Sequence, residues 1–303
     1  MKRSFSILLF SLCIYISAKA QEINWFKGTW LETKAKAKAE NKYIFIDGYT
    51  VWCGACKLMD QETFSDSDVI SFINKNYVAI QLDMEAGEGQ KIAMKYEVDG
   101  FPTFLIFNPN GKYVFRAEGD QKKDLFLTTL NKTLNKEKQF NAPGYSASID
   151  LAYPDFYKDA HDGSGNRKYP KTEEVTAYLD KQTDLFSEIN WAIISSFYAG
   201  EKYTQFFLDN IDKYKNLYGD INQKLTILIY SKLQQAIAEN SEAKLNDILA
   251  LTDKYVTENK DWMKIYYKIG FYTGVKDWNN EALAIDEMVE KEGYENTIYI
   301  NML

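Results

Sequence analysis

Two kinds of hydrophobic pattern divide this chain. Between residues 43 and 116, short aromatic and β-branched runs recur: Tyr43-Ile44-Phe45-Ile46-Asp47, residues 77–83 (Y-V-A-I-Q-L-D), Phe104-Leu105-Ile106-Phe107 and Tyr113-Val114-Phe115-Arg116. Runs of this length and composition predict strands. Asn108-Pro109-Asn110-Gly111-Lys112 separates the last two and predicts a hairpin. Helix-period stretches lie around them: an alanine- and lysine-rich run within 23–38, a segment ending near Gln61, residues 69–74 behind the capping chemistry of Asp66-Ser67-Asp68, residues 90–96, and residues 122–135. Strand, helix, strand, helix, hairpin, helix is the order of an α/β sandwich around one sheet.

The pattern changes at Asn141-Ala142-Pro143-Gly144. Beyond it strand-like runs nearly vanish, and helices are predicted over 148–160, 172–184, 188–198, 203–217, 221–239, 243–259, 261–273 and 279–292. Successive helices with short turns predict an all-α, helical-hairpin or solenoid-like region over 141–303. The segment 275–284 is only faintly like half a tetratricopeptide repeat. Tyr198, Tyr203, Tyr214, Tyr218, Tyr230, Tyr255, Tyr266, Tyr267 and Tyr272 are expected to pack these helices together, a docking face being the alternative.

Residues 1–20 read as a signal peptide: Lys2 and Arg3, an apolar core from Phe5 to Ile16, then Ala18-Lys19-Ala20 as a small-x-small cleavage site. That core is well short of the roughly 20 residues a spanning helix needs. A chain starting at Gln21 is therefore expected in the bacterial periplasm or secreted, without membrane insertion. Leu12, ahead of Cys13, is not the small residue a lipoprotein site wants, and residues 298–303 carry no retrieval signal for the endoplasmic reticulum. The expected organisation is a leader over 1–20, an α/β domain over 21–140 and an all-α domain over 141–303.

Charge narrows the partners. There are 36 basic and 43 acidic residues, a formal charge of −7; the leader carries Lys2, Arg3 and Lys19 and no acid, so without it the charge is −10. Such acidity argues against nucleic acid and anionic membranes. The chain has 3 cysteines, and once Cys13 leaves with the leader only Cys53 and Cys56 remain. Structural disulfides in an exported protein would be more numerous and dispersed. This pair is a reagent. A zinc site built on C-x-x-C needs two more Cys or His ligands, and the chain has a single histidine, His161, expected in an exposed loop; neither a metal nor another cofactor is expected. Glu85-Ala86-Gly87-Glu88-Gly89 is too acidic for a phosphate loop and lacks a following Lys-Ser/Thr.

The candidate chemistry sits at one junction. The first strand is broken by Asp47-Gly48 and leads through Trp52-Cys53-Gly54-Ala55-Cys56 into a helical segment. Unpaired N–H groups at a helix start favour a thiolate on the first sulfur, so Cys53 is the expected attacking thiol. Cys56, one turn in, is placed to resolve the mixed disulfide through which exchange must pass.

Together with Asp47 and the downstream Gly100-Phe101-Pro102-Thr103, this motif resembles the thioredoxin superfamily over roughly residues 24–137. The resemblance implies a thioredoxin-like fold followed by the all-α region, a buried acid at Asp47 that assists proton transfer, and a cis proline at Pro102 facing the disulfide. Trp52, Phe101 and Pro102 would line the substrate groove. Ala55 departs from the proline usual in thioredoxins and the histidine common in disulfide isomerases, and Gly48 stands where a bulky apolar residue is commoner. The expected activity is a thiol–disulfide oxidoreductase acting on protein thiols and disulfides, reductase rather than oxidase because Ala55 adds no charge beside the thiolate. A membrane electron donor or thiol partner would supply the reducing equivalents. The competing expectation is a helical protein-binding scaffold of the cell envelope whose thioredoxin-like part is a docking surface.

Overall fold

The computed structural model describes residues 22–256 and 259–292. The expected leader, Cys13 with it, and residues 298–303 lie outside the described residues.

The first part of the chain runs α1 (Trp30–Glu40), β1 (Tyr43–Tyr49), α2 (Gly54–Gln61), α3 (Ser67–Asn76), β2 (Tyr77–Asp83), α4 (Gly87–Lys95), β3 (Thr103–Phe107), β4 (Tyr113–Glu118) and α5 (Lys123–Leu134). The sheet has the order β2-β1-β3-β4, with β1 parallel to β2 and antiparallel to β3. Caps written in the sequence start the helices: Thr29 and Glu32 form a capping box on α1, and the Asp66 carboxylate takes the Asp68 and Val69 N–H groups at α3. Alternation along β1 sends its side chains to opposite faces. Phe45 joins Met59, Phe64, Ile70 and Phe126 under α2, α3 and α5, whereas Ile44 and Ile46 join Trp30, Ile92 and Tyr96 under α1 and α4.

Helices follow: α6 (Asp155–Ala160), α7 (Thr172–Leu179), α8 (Glu188–Ser196), α9 (Gly200–Asp209), α10 (Ile211–Tyr218), α11 (Asn222–Ala238), α12 (Glu242–Tyr255), α13 (Lys260–Val275) and α14 (Trp278–Glu292). Residues 190–195 of α8 are all buried, so this helix is the core of the region. Tyr214 and Tyr218 pack against Trp191 with ring centroids 5.2 and 4.9 Å away, and their hydroxyls donate to the Leu185 and Phe186 carbonyls. The tyrosines on α10 thus serve as core, their polar ends satisfied; Tyr230 is exposed.

Three expectations fail locally. Of residues 148–160 only the last six are helical, because Pro154 fixes its own φ, lacks an N–H and belongs at a helix start, where it is found as the N-cap of α6. The single helix over 203–217 is two, broken at Asn210, whose amide donates to the Phe206 carbonyl. His161 is not an exposed loop residue: it caps α6, its ring centroid lies 4.4 Å from that of Tyr157, and burial holds its pKa below the usual value.

The two parts meet in a seam of aromatic and polar contacts. The Trp191 indole N–H donates to the Tyr145 hydroxyl, which donates to the Glu97 carboxyl, itself buried and pushed up to about 8, first by burial. The Tyr157 hydroxyl donates to the Met94 carbonyl at 2.7 Å. Lys95 at the end of α4, fully buried, pairs with Glu188 at the start of α8. Removing one member of a buried pair leaves the other charge desolvated. Glu188→Ala is therefore expected to cost about 3 kcal/mol in denaturant unfolding, whereas Lys36→Ala, which breaks an exposed pair with Glu40, changes stability by less than about 0.5 kcal/mol.

Candidate functional site

Cys53 is the N-cap of α2. Its sulfur is bonded to that of Cys56, the Cα atoms being 5.3 Å apart, and it accepts a hydrogen bond from the Cys56 N–H at 3.0 Å. A sulfur held at a helix start by an N–H of the first turn is where negative charge is favoured. The pair is less open than a bare helix tip: Cys53 is 3% and Cys56 6% exposed. Beside it the surface is free, since a Cβ added at Gly54 or at Gly100 would meet nothing within 4 Å.

Asp47 lies on the face of β1 that α2 covers, two residues on from Phe45. Its carboxylate accepts from the Gln81 amide at 3.1 Å, and the same amide reaches Asp60 on α2 at 3.4 Å. Burial pushes the Asp47 carboxyl up to about 7; the Gln81 hydrogen bond opposes this and the nearby Asp60 charge adds to it. Asp60 is raised as well, again mainly by burial. The buried acid beneath the thiol helix is thus poised near neutrality, the condition under which a carboxyl both takes and returns a proton.

The Phe101–Pro102 bond is cis, and Thr103 pairs with Gly48, so the proline loop enters the sheet beside the end of β1 from which the chain turns to Cys53. The Thr103 hydroxyl donates to the Gly100 carbonyl and ties the loop closed. Trp52 is 62% exposed, packs edge-on against Phe101 at 5.8 Å, and donates its indole N–H to Glu85 at 2.7 Å. Gly48 explains one departure from the expected motif: a Cβ there would come 2.9 Å from the Thr103 carbonyl oxygen and 2.4 Å from Met84. Met84 fills the space where a larger side chain at 48 would stand.

The structure thus gathers Asp47, Trp52, Cys53, Cys56, Phe101 and Pro102 around one end of β1. Sequence patterns missed Gln81, Asp60 and Glu85. Gln81 had a usable signal, as the polar position pairing with Asp47 in two strands of matched length. Glu85 had none, because its role depends on Trp52, 33 residues away. Among the described residues no group of three or more His, Cys, Asp or Glu could hold a metal ion, and no helix is long and apolar enough to cross a membrane.

Residues 31–134 match the family model for a thioredoxin-like domain. Protein disulfide-isomerase of Zea mays is 28% identical over 109 residues, which cover 36% of this chain and 21% of that relative. The thiol:disulfide interchange protein DsbD of Pseudoalteromonas atlantica is 34% identical over 82 residues, covering 26% of this chain and 14% of the relative. A thioredoxin from Thermus thermophilus, solved in solution, is 25% identical, with 38% of this chain and 89% of that chain covered and a TM-score of 0.35. The chain spans about a fifth to a third of the length of the plant relatives it matches, from 21% of the maize, wheat and barley proteins to 36% of an Arabidopsis thaliana one.

A raised Asp47 pKa has a stability signature. Between the ordinary 3.8 and about 7 the folded chain binds more protons than the unfolded chain, so stability falls as pH rises through that window and stays lower above it. Asp47→Asn should therefore make the oxidised protein about 3–4 kcal/mol more stable at pH 8, with the advantage gone near pH 3.5. Denaturant titrations at the two pH values check this; an equal advantage at both contradicts burial as the cause.

Proposed function

We propose, from the premise that residues 31–134 are a thioredoxin-like domain with its Cys53–Cys56 pair intact, that this protein is an exported thiol–disulfide oxidoreductase that reduces disulfides in polypeptides. The observation that supports it most directly is the disulfide at the start of α2 above a buried carboxyl pushed up to about 7.

The cycle follows from these groups. In the reduced protein the Cys53 thiolate attacks one sulfur of a substrate disulfide; a Cys53–substrate bond forms, the substrate S–S bond breaks, and the departing thiolate takes a proton. The Cys56 thiol then gives its proton to the Asp47 carboxylate and attacks the Cys53 sulfur. The Cys53–Cys56 bond forms, the Cys53–substrate bond breaks, and the second substrate sulfur leaves as a thiolate that takes a proton from solvent. Asp47 returns to solvent the proton it took from Cys56; with the proton Cys53 lost on ionising, the protons balance. Two electrons and two protons pass from the dithiol to the substrate, and a partner dithiol must return them. Near pH 7 Asp47 is divided between its charged and neutral forms, so it serves as base in this direction and as acid in the reverse. Trp52, Phe101 and Pro102 form the wall along which the substrate chain lies.

The direction rests on Ala55, which adds no positive charge beside the Cys53 sulfur at the helix start. Export rests on the charged, apolar and small-residue succession of residues 1–20 and on the two remaining cysteines both lying in the motif.

Insulin reduction in the presence of dithiothreitol tests the reading. The wild-type chain should accelerate it, and Cys53→Ser should lose at least about a thousandfold of that acceleration, as removal of a nucleophile does. Cys56→Ser should instead accumulate a mixed disulfide through Cys53, visible by mass and released by reductant. Acceleration that survives Cys53→Ser contradicts the assignment.

A further inference from the structure

A loop of the helical part of the chain reaches the rim of the thiol site. Arg167, in the loop between α6 and α7, places a guanidinium nitrogen 2.6 Å from Glu85 Oε1. The other oxygen of the same carboxylate, Oε2, accepts the Trp52 indole N–H at 2.7 Å. Glu85 is therefore shared between the tryptophan that precedes Cys53 and an arginine 82 residues away in sequence. Both ends of this link are well defined. The Glu85 backbone N–H is held by Asp83 at 3.0 Å, and the Glu85 and Arg167 side chains are 13% and 25% exposed.

The loop that carries Arg167 is fitted to this place. A Cβ on Gly163 would come 1.9 Å from the Glu85 carbonyl oxygen, so only glycine permits the approach. The Asp162 carboxylate accepts from the Ser164 N–H and hydroxyl, Gln90 donates to the His161 carbonyl at 2.8 Å, and the Lys168 N–H returns to the Asp159 carbonyl at 3.0 Å.

Trp52 is 62% exposed, and an indole so exposed has little packing to hold it in one rotamer. Its position depends on the edge of Phe101 and on the Glu85 hydrogen bond. Without Arg167, Glu85 would be a carboxylate free to turn toward water and take the indole with it.

We propose that Arg167 is a positioning residue: through Glu85 it fixes Trp52 as a wall of the groove, so that the helical region helps to determine how tightly a polypeptide substrate is held. This rests on the exchange reading above and adds a role for residues outside the thioredoxin-like domain. It assigns the loop to substrate binding, not to the sulfur chemistry, which predicts a split between KM and kcat.

The test uses the full chain with Arg167→Ala, Arg167→Lys and Gly163→Ala. Insulin is the substrate, and folding is confirmed by circular dichroism. Arg167→Ala should raise the KM for insulin about fivefold, as loss of about 1 kcal/mol of binding would, with kcat within about twofold. Arg167→Lys should recover part of the loss, and Gly163→Ala, which lifts the loop off Glu85, should reproduce it. The fluorescence anisotropy of Trp52, taken as the difference between each chain and its Trp52→Phe counterpart, should fall in Arg167→Ala and Gly163→Ala. An unchanged KM, a loss confined to kcat, or an unchanged Trp52 anisotropy overturns the proposal. A wild-type chain inactive on insulin would overturn the exchange reading instead, and the anisotropy would still decide whether Arg167 holds Trp52.

Discussion

Strand β1 is paired along both edges and covered on both faces, and its register fixes where every group of the site can be. Pairing with β2 sets Asp47 beside Gln81, and pairing with β3 sets Gly48 beside Thr103, the residue after the cis proline. A shift of one residue would turn Asp47 to the α1 and α4 face and send Ile44 and Ile46 under α2. The apolar side chains on both faces make that shift costly, so hydrophobic packing of the sheet is what holds the carboxyl beneath the thiol helix.

The same burial that builds the core supplies the chemistry. Asp47 is pushed toward neutrality because water is excluded beneath α2, and its one strong partner, Gln81, is itself uncharged. The sulfur above it has the opposite setting, a helix start where the Cys56 N–H points at Cys53. An acid made easy to protonate lies under a sulfur that takes a helix-start N–H, and the two are arranged by a strand and the helix that follows it. The helical part of the chain is joined to this unit by its own buried contacts, the Lys95–Glu188 pair and the Tyr145 hydroxyl between Trp191 and Glu97, and it touches the rim of the site at Glu85.

Much of this was legible in the sequence because it is local. The four strands announce themselves as compact runs of β-branched and aromatic residues, and residues 77–83 carry their strand bounds without error. The two cysteines stand out by their spacing, and Asp47 and the Phe101-Pro102 pair through the resemblance to thioredoxins that the motif carries. Legibility ends where a contact joins distant parts of the chain. The acidic glycine loop of residues 85–89 offers only a failed phosphate motif until Trp52 and Arg167 are seen on either side of the Glu85 carboxylate. His161 reads as exposed beside a Gly/Ser/Asn turn until Tyr157 closes over it. In the helical part, period alone joined α9 to α10 across Asn210, since side chains keep the helical repeat through a break of one residue.

The account turns on Cys53 and Cys56 being a working redox couple at the reducing end of the scale. Equilibration of the purified chain with glutathione buffers of known ratio, read by thiol alkylation and mass, measures this most directly. The expected result is a single two-electron transition, well below the potential of about −120 mV typical of strong oxidants and nearer the −270 mV or so of thioredoxin. A midpoint close to −120 mV would contradict the reducing direction, and a pair that fails to equilibrate with glutathione at all would contradict the exchange function itself.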